Sequence, residues 1–129
     1  MNGSANQLFD LADACQAQAD RLQNLARILN FQGTEASQLM TREHQLRWNA
    51  TDLRTSAVSV ALANSQAAQE SLQNATDMAN KAASKITKAE DAIKVAGLVI
   101  SLAASVYTGD IPSILTSADA LINTVGPML

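Results

Sequence analysis

Apolar positions in the first thirty residues fall on alternating three- and four-residue steps: Leu8, Leu11, Cys15, Leu22, Leu25 and Leu29, with Gln18 in the one polar slot. This heptad seam predicts a helix over residues 4–30 that packs lengthwise against another helix. Ser4 and Gln7 have the spacing of a capping box at its start. Phe31-Gln32-Gly33-Thr34 ends it: Gly33 can take the left-handed conformation that closes a helix, and Thr34-Glu35 can open the next.

Between Thr34 and Gly97 there is no proline and no glycine. Leu39, Leu46, Leu53 and Val60 stand seven apart in the first part of this stretch. A second seam follows: Val58, Ala61, Ser65, Ala68, Leu72, Ala75, Ala79, Ala82, Ile86, Ala89, Ile93, Ala96, Ile100, Ala103 and Tyr107, every step three or four. The two registers join through Leu53, Ala57, Ala61 and Ser65, a run of four-residue steps that marks a local insertion into a heptad pattern. Keeping the second seam whole predicts one long helix over 35–107, on the order of 100 Å at 1.5 Å per residue. Its break points, if interrupted, are Trp48–Asp52, Gln73–Asp77 and the capping-box spacing from Thr87 to Glu90.

The chain changes character at Val95, after which the only charges are Asp110 and Asp119. Val95–Tyr107 is apolar and small, and Thr108-Gly109-Asp110-Ile111-Pro112 reads as a turn. Pro112 fits the first turn of a last helix whose apolar face is Ile114, Leu115, Ala118, Leu121, Ile122 and Val125, stopped by Gly126-Pro127. The expected fold is therefore all-α. It is a single helical domain over 1–129: a first helix (4–30), a polar coiled-coil-like helix (35–94) on which it packs, and an apolar helical hairpin (95–129).

Composition sharpens this picture. Twenty-four of 129 residues are alanine, and only Phe9, Phe31, Trp48 and Tyr107 are aromatic. Alanine favours helix but buries little area, so the core is thin and suits helices packed closely along their length. A narrow bundle of this kind leaves apolar surface to cover, which predicts self-association or a protein partner. The net charge of −3 argues against a nucleic-acid role built on phosphate contacts.

Parts for catalysis are missing. Cys15 is the only cysteine and His44 the only histidine, which excludes an intrachain disulfide and a cysteine–histidine zinc site. Cys15 lies on the apolar seam and reads as a buried thiol rather than a nucleophile. Glu90 and Asp91 adjoin in sequence but diverge on a helix, and no glycine-rich phosphate loop exists. The expectation is a non-enzymatic protein without metal, cofactor or small-molecule substrate. Asn49-Ala50-Thr51 and Asn74-Ala75-Thr76 match the glycosylation triplet, which arises by chance in so Asn- and Thr-rich a chain. No basic start followed by an apolar run marks a secretory signal, which leaves the cytoplasm or export by a dedicated apparatus.

All four lysines, Lys81, Lys85, Lys88 and Lys94, precede the apolar hairpin and are candidates for contact with an anionic surface, worth about 1 kcal/mol each near a membrane. The competing reading is a solvated helix face. Candidate interface or membrane-contact residues in the hairpin are Ile93, Leu98, Ile100, Leu102, Val106, Ile111, Ile114, Leu115, Leu121 and Ile122. Neither arm supplies the ~20 apolar residues of a membrane span. In layout, from Ala61 to Leu129, a polar coiled coil followed by an apolar helical hairpin resembles α-helical pore-forming toxins and the translocator and filament proteins of bacterial secretion machines. No signature motif accompanies the likeness, and the Trp-x-Gly turn of small secreted helical hairpins is absent, Trp48 being followed by Asn49-Ala50. The leading expectation is a self-associating subunit of a bacterial secretion, injection or toxin assembly with the hairpin as interface. The alternatives are a membrane-active protein that inserts the hairpin, and an adaptor or chaperone for a secreted partner.

Overall fold

The structure, a computed structural model, describes residues 3–55, 62 and 64–129, with side chains from residue 6 onward. Among the described residues the elements are α1 (Gly3–Ile28), α2 (Gly33–Thr55), α3 (Gln66–Lys85), α4 (Ala89–Thr108) and α5 (Ile111–Val125), followed by a 3₁₀ turn (Gly126–Met128). The all-α class expected from the periodicity is what the chain adopts. The capping role expected of Ser4 falls on a side chain outside the described ones, while Gln7 donates across to Gln69 O at 2.6 Å.

The continuous 35–107 helix does not form, and with it goes the separate polar coiled coil over 35–94. α2 ends at Thr55, and α3 starts afresh where Ser65 leaves helical geometry and its Oγ accepts from Ala68 N at 3.3 Å. Of the seam positions near this reversal, Val58, Val60 and Ala61 lie outside the described residues. A second break falls at Ile86–Lys88, where Ile86 and Lys88 are both extended. It coincides with the expected Thr87–Glu90 signal, although the N-cap is Lys88 and makes no side-chain capping bond. Trp48–Asp52 and Gln73–Asp77 stay helical.

Arg21 explains how the chain leaves α3. Its Nε donates to Ile86 O at 2.7 Å, and Nη2 bonds the same oxygen. A cation thus satisfies a carbonyl at a helix C-terminus, where orphan acceptors and the negative dipole end gather. Ile86 itself is buried and pins the turn to the core.

The α1–α2 corner differs from expectation in detail. Asn30 N donates to Arg27 O at 2.9 Å and Phe31 N to Ala26 O at 2.8 Å, the paired bonds of a Schellman ending. The left-handed closing residues are therefore Asn30 (φ 56) and Phe31 (φ 55), while Gly33 (φ 89) serves the entry to α2. Gly109 does close α4 as its position suggests, with φ 74 and its N–H shared between Ser105 O and Val106 O.

α1, α3, α5 and α4 form a four-helix square with α1 and α5 on one diagonal, and α2 packs outside on the α1–α4 edge. α1 and α3 run parallel: Gln7 meets Gln69, Gln18 meets Ala79 and Arg21 meets Ile86. α2 returns antiparallel to α1, with Arg47 bonded to Asp20 and Arg54 to Asp13. α4 and α5 make the apolar hairpin, joined by Ser105 and Ser117 hydroxyls 2.9 Å apart.

The core is mostly aliphatic and holds no aromatic side chain; Gln18, Glu43 and Thr76 are its buried polar members among the described residues. α1 contributes Leu8, Leu11, Cys15, Leu22 and Leu25; α2 contributes Leu39, Leu46 and Leu53. The α3 seam is buried at every position from Ala68 to Ala82. Alanines at 75, 79 and 82 leave the α3 backbone close enough for the fully enclosed Gln18 to reach Ala79 O at 2.8 Å. On α4 the seam drifts: Ala96 and Ala103 remain inside, but Tyr107 is exposed and Val95, Val99, Leu102 and Val106 take the inner face. The break at Ile86–Lys88 resets the helical phase, so the sequence rhythm survives while the face it marks rotates.

Candidate functional site

The thiol and the imidazole that the sequence singles out lie apart in the fold. Cys15 is buried, and burial pushes its thiol up to about 12, with Arg54 pulling weakly the other way. His44 sits on the outward face of α2, so the only thiol and the only imidazole are not brought together. No group of three His, Cys, Asp or Glu side chains among the described residues could hold a metal ion. The cleft between α2 and α4, about 170 Å³ and lined by residues such as Asn49, Asp52, Ala104 and Tyr107, holds an Asn49 Nδ2 that is buried without a hydrogen-bond partner. It is below the size range of a cofactor or drug-sized ligand site.

The ten hairpin residues divide in two. Leu102, Val106, Ile114 and Leu121 are enclosed within the single chain, where they make the α4–α5 share of the core. Ile93, Leu98, Ile100, Ile111, Leu115 and Ile122 are half-buried and packed against that core at the helix edges. The outer face of α5 is instead Pro112, Thr116, Asp119, Ala120 and Asn123. The hairpin thus supplies part of the inner wall of this bundle and keeps a half-buried rim, and no helix among the described residues is long and apolar enough to cross a membrane.

Lys81, Lys85, Lys88 and Lys94 are all exposed, and none enters an ion pair among the described residues. Most of the arginines, in contrast, bond within the chain: Arg21 to Ile86 O, Arg42 to Gln45, Arg47 to Glu43 and Asp20, Arg54 to Asp13.

The clearest surface feature is one the seams do not mark. Every aromatic residue stands outside the core: Phe9 is 51% exposed, Phe31 50%, Trp48 69% and Tyr107 59%. Trp48 shares a face of α2 with Met40 and His44 at four-residue steps, opposite the buried Leu39–Leu46–Leu53 line. His44, Arg47, Trp48 and Thr51 enclose a shallow hollow of about 200 Å³ on that face. The available signal was the 40–44–48 spacing itself. A single tryptophan in a polar helix is a weak mark beside seven heptads of alanine and isoleucine.

Comparison of the chain with protein-family models, curated proteins and solved structures gives no match.

Proposed function

We propose that this chain is a non-catalytic, self-associating helical subunit, of the kind that builds assemblies such as bacterial secretion, injection or toxin machines. One observation carries the reading: the core closes without an aromatic side chain, and all four aromatics are left at least half exposed. Protein interfaces are enriched in aromatics, and Trp and Tyr dominate their binding energy. A surface holding the whole aromatic complement suits contact with another protein. The reading favours the aromatic-bearing outer faces over the hairpin, four of whose ten candidate residues are enclosed and six half-buried.

Sedimentation velocity on the intact chain, from micromolar to near-millimolar concentration, tests this. The expected result is a weight-average mass that climbs above 13.6 kDa with concentration. A concentration-independent monomer overturns the proposal.

A second reading keeps the membrane in view, because four unpaired lysines favour an anionic surface. Contact would then be peripheral, since inserting the hairpin requires Leu102, Val106, Ile114 and Leu121 to leave the core. Co-sedimentation with anionic vesicles, abolished by changing the four lysines to glutamine, is its expected signature. Pull-down of a client protein by the monomer would instead favour an adaptor or chaperone.

A further inference from the structure

We propose that two copies of this chain associate by exchanging their α4–α5 hairpins, with the break at Ile86–Lys88 as the hinge across which α3 and α4 fuse into one helix. The inference rests on the self-association proposed above, supplies its route, and leaves the aromatic-bearing faces on the outside of the pair.

The break has no local cause. Between Ser84 and Ala92 there is neither proline nor glycine, the residues that most often end a helix. Ile86 (φ −77, ψ 128) and Lys88 (φ −88, ψ 133) are extended. Yet the helical ladder is intact on both sides of them: Ile86 N donates to Ala82 O at 3.0 Å, and Ala92 N to Lys88 O at 3.0 Å. What holds the bend is tertiary, namely the Arg21 guanidinium on Ile86 O and the burial of the Ile86 side chain. Straightening the segment gives the N–H groups of residues 87–91 the carbonyls four positions earlier. Glu90 N then takes over Ile86 O from Arg21.

The apolar rhythm points the same way. Ala75, Ala79, Ala82 and Ile86 are buried, but the same rhythm continued through Ala89, Ile93 and Ile100 is only half-buried. The closed chain uses that part of the period incompletely. In a fused helix of about 65 Å, at 1.5 Å per residue, those three positions extend the α3 stripe.

The hairpin can leave as a unit. α4 and α5 are joined to each other through Ser105 and Ser117, whereas α3 and α4 lie on a diagonal of the square and scarcely touch. Opening the hinge therefore breaks little α3–α4 packing. It uncovers Leu102, Val106, Ile114 and Leu121 and the faces of α1, α2 and α3 opposite the hairpin. Only an identical hairpin restores all of those contacts, which makes the occupant a second copy. A short hinge is the setting in which such exchange arises.

The test uses the full chain. Ala89 is the first residue of α4 and follows an extended residue, so proline fits there in the closed form and breaks the fused helix. In sedimentation velocity, wild type should show a dimer fraction that grows with concentration. Ala89→Pro should stay at 13.6 kDa with wild-type helix content by circular dichroism. Arg21→Ala, which removes the latch, should dimerise at several-fold lower concentration.

An equal mixture of Arg42→Cys and Gly97→Cys chains reports the exchange independently of Ala89→Pro. The Arg42 guanidinium on α2 lies 3.9 Å from where a Cβ on Gly97 of α4 would stand. A short bismaleimide should therefore link the two unlike chains within the exchanged dimer, while Cys15 stays buried. A dimer that forms equally well with Ala89→Pro, or whose unlike chains do not cross-link, overturns the exchange and leaves self-association standing. A chain monomeric at every concentration removes both.

Discussion

Gln18 offers a sharp test of the core. It occupies the one polar slot of the α1 seam, is 2% exposed, and donates from Nε2 to Ala79 O at 2.8 Å. Three substitutions separate its contributions. In Gln18→Leu the amide disappears, but Ala79 O, in the interior of α3, keeps its helical acceptor role, so no buried group is orphaned. The change should alter stability by less than about 1 kcal/mol, because removing a hydrogen bond without leaving an unpaired partner is nearly neutral. Gln18→Ala also opens a cavity and should cost about 2–3 kcal/mol.

Gln18→Glu is the decisive one. A carboxylate there faces a carbonyl oxygen and cannot donate, so burial raises its folded pKa far above the unfolded value of about 4.3. If the folded pKa exceeds 7, the side chain protonates on folding. The cost at pH 7 is then bounded by that ~2.7-unit gap at about 1.36 kcal/mol per unit, or ~3.7 kcal/mol. A raised folded pKa means stability intact below the unfolded pKa and lost as pH rises towards the folded one. Urea unfolding followed by circular dichroism should therefore place the variant ~3–4 kcal/mol below wild type at pH 7 and within ~1 kcal/mol at pH 4. Equal stability at pH 7, or a deficit that ignores pH, would mean that water reaches position 18. The α1–α3 contact would then not be closed.

Other consequences follow from the same packing. Leu121→Ala, at a fully buried position, should lower stability by about 2–5 kcal/mol in the same urea assay, with half-buried Ile122→Ala costing visibly less. Arg21→Ala removes the guanidinium from Ile86 O and should cost about 1–2 kcal/mol; hydrogen exchange should quicken around residues 82–92 before anywhere else in α3 and α4. The Cys15 thiol, pushed up to about 12 by burial, should resist alkylation in native buffer at pH 8 and react at the rate of bundle opening; fast native labelling contradicts its burial. Small-angle scattering should return a maximum dimension far below the ~100 Å of an unbroken 35–107 helix, since α1, the longest element, spans ~40 Å.

The helical class and most of the core were legible because burial writes a rhythm into sequence. Leu8–Leu25, Leu39–Leu46–Leu53 and Ala68–Ala82 were marked by periodicity and are buried. Chain direction was not legible for the same reason. A seam records which face each residue turns inward, and two helices packed into one core can carry one rhythm across a break between them. The run from Val58 to Tyr107 therefore read as one helix although Ile86–Lys88 interrupts it. The breaking device is remote: Arg21, sixty-five residues earlier, supplies the donor for Ile86 O. No local pattern at 86–88 contains that bond.

The outward half of the molecule obeys a different constraint. A core position must be apolar in every state of the folded chain, so its signal is dense and periodic. An outward face must be solvated when the chain is alone. Its apolar groups stand among neutral hydroxyls, as Met40 and Trp48 stand among Ser37, Thr41, Thr51 and Thr55. Such dilution removes the amphipathic stripe that would announce the face. What remains is position: the only tryptophan, 69% exposed, beside the only histidine, on a helix whose flanking arginines are bonded inward. Those relations exist only once α2 is laid against α1, whereas the hairpin, richer in isoleucine and leucine, is conspicuous in the sequence whether its side chains face the core or its edges.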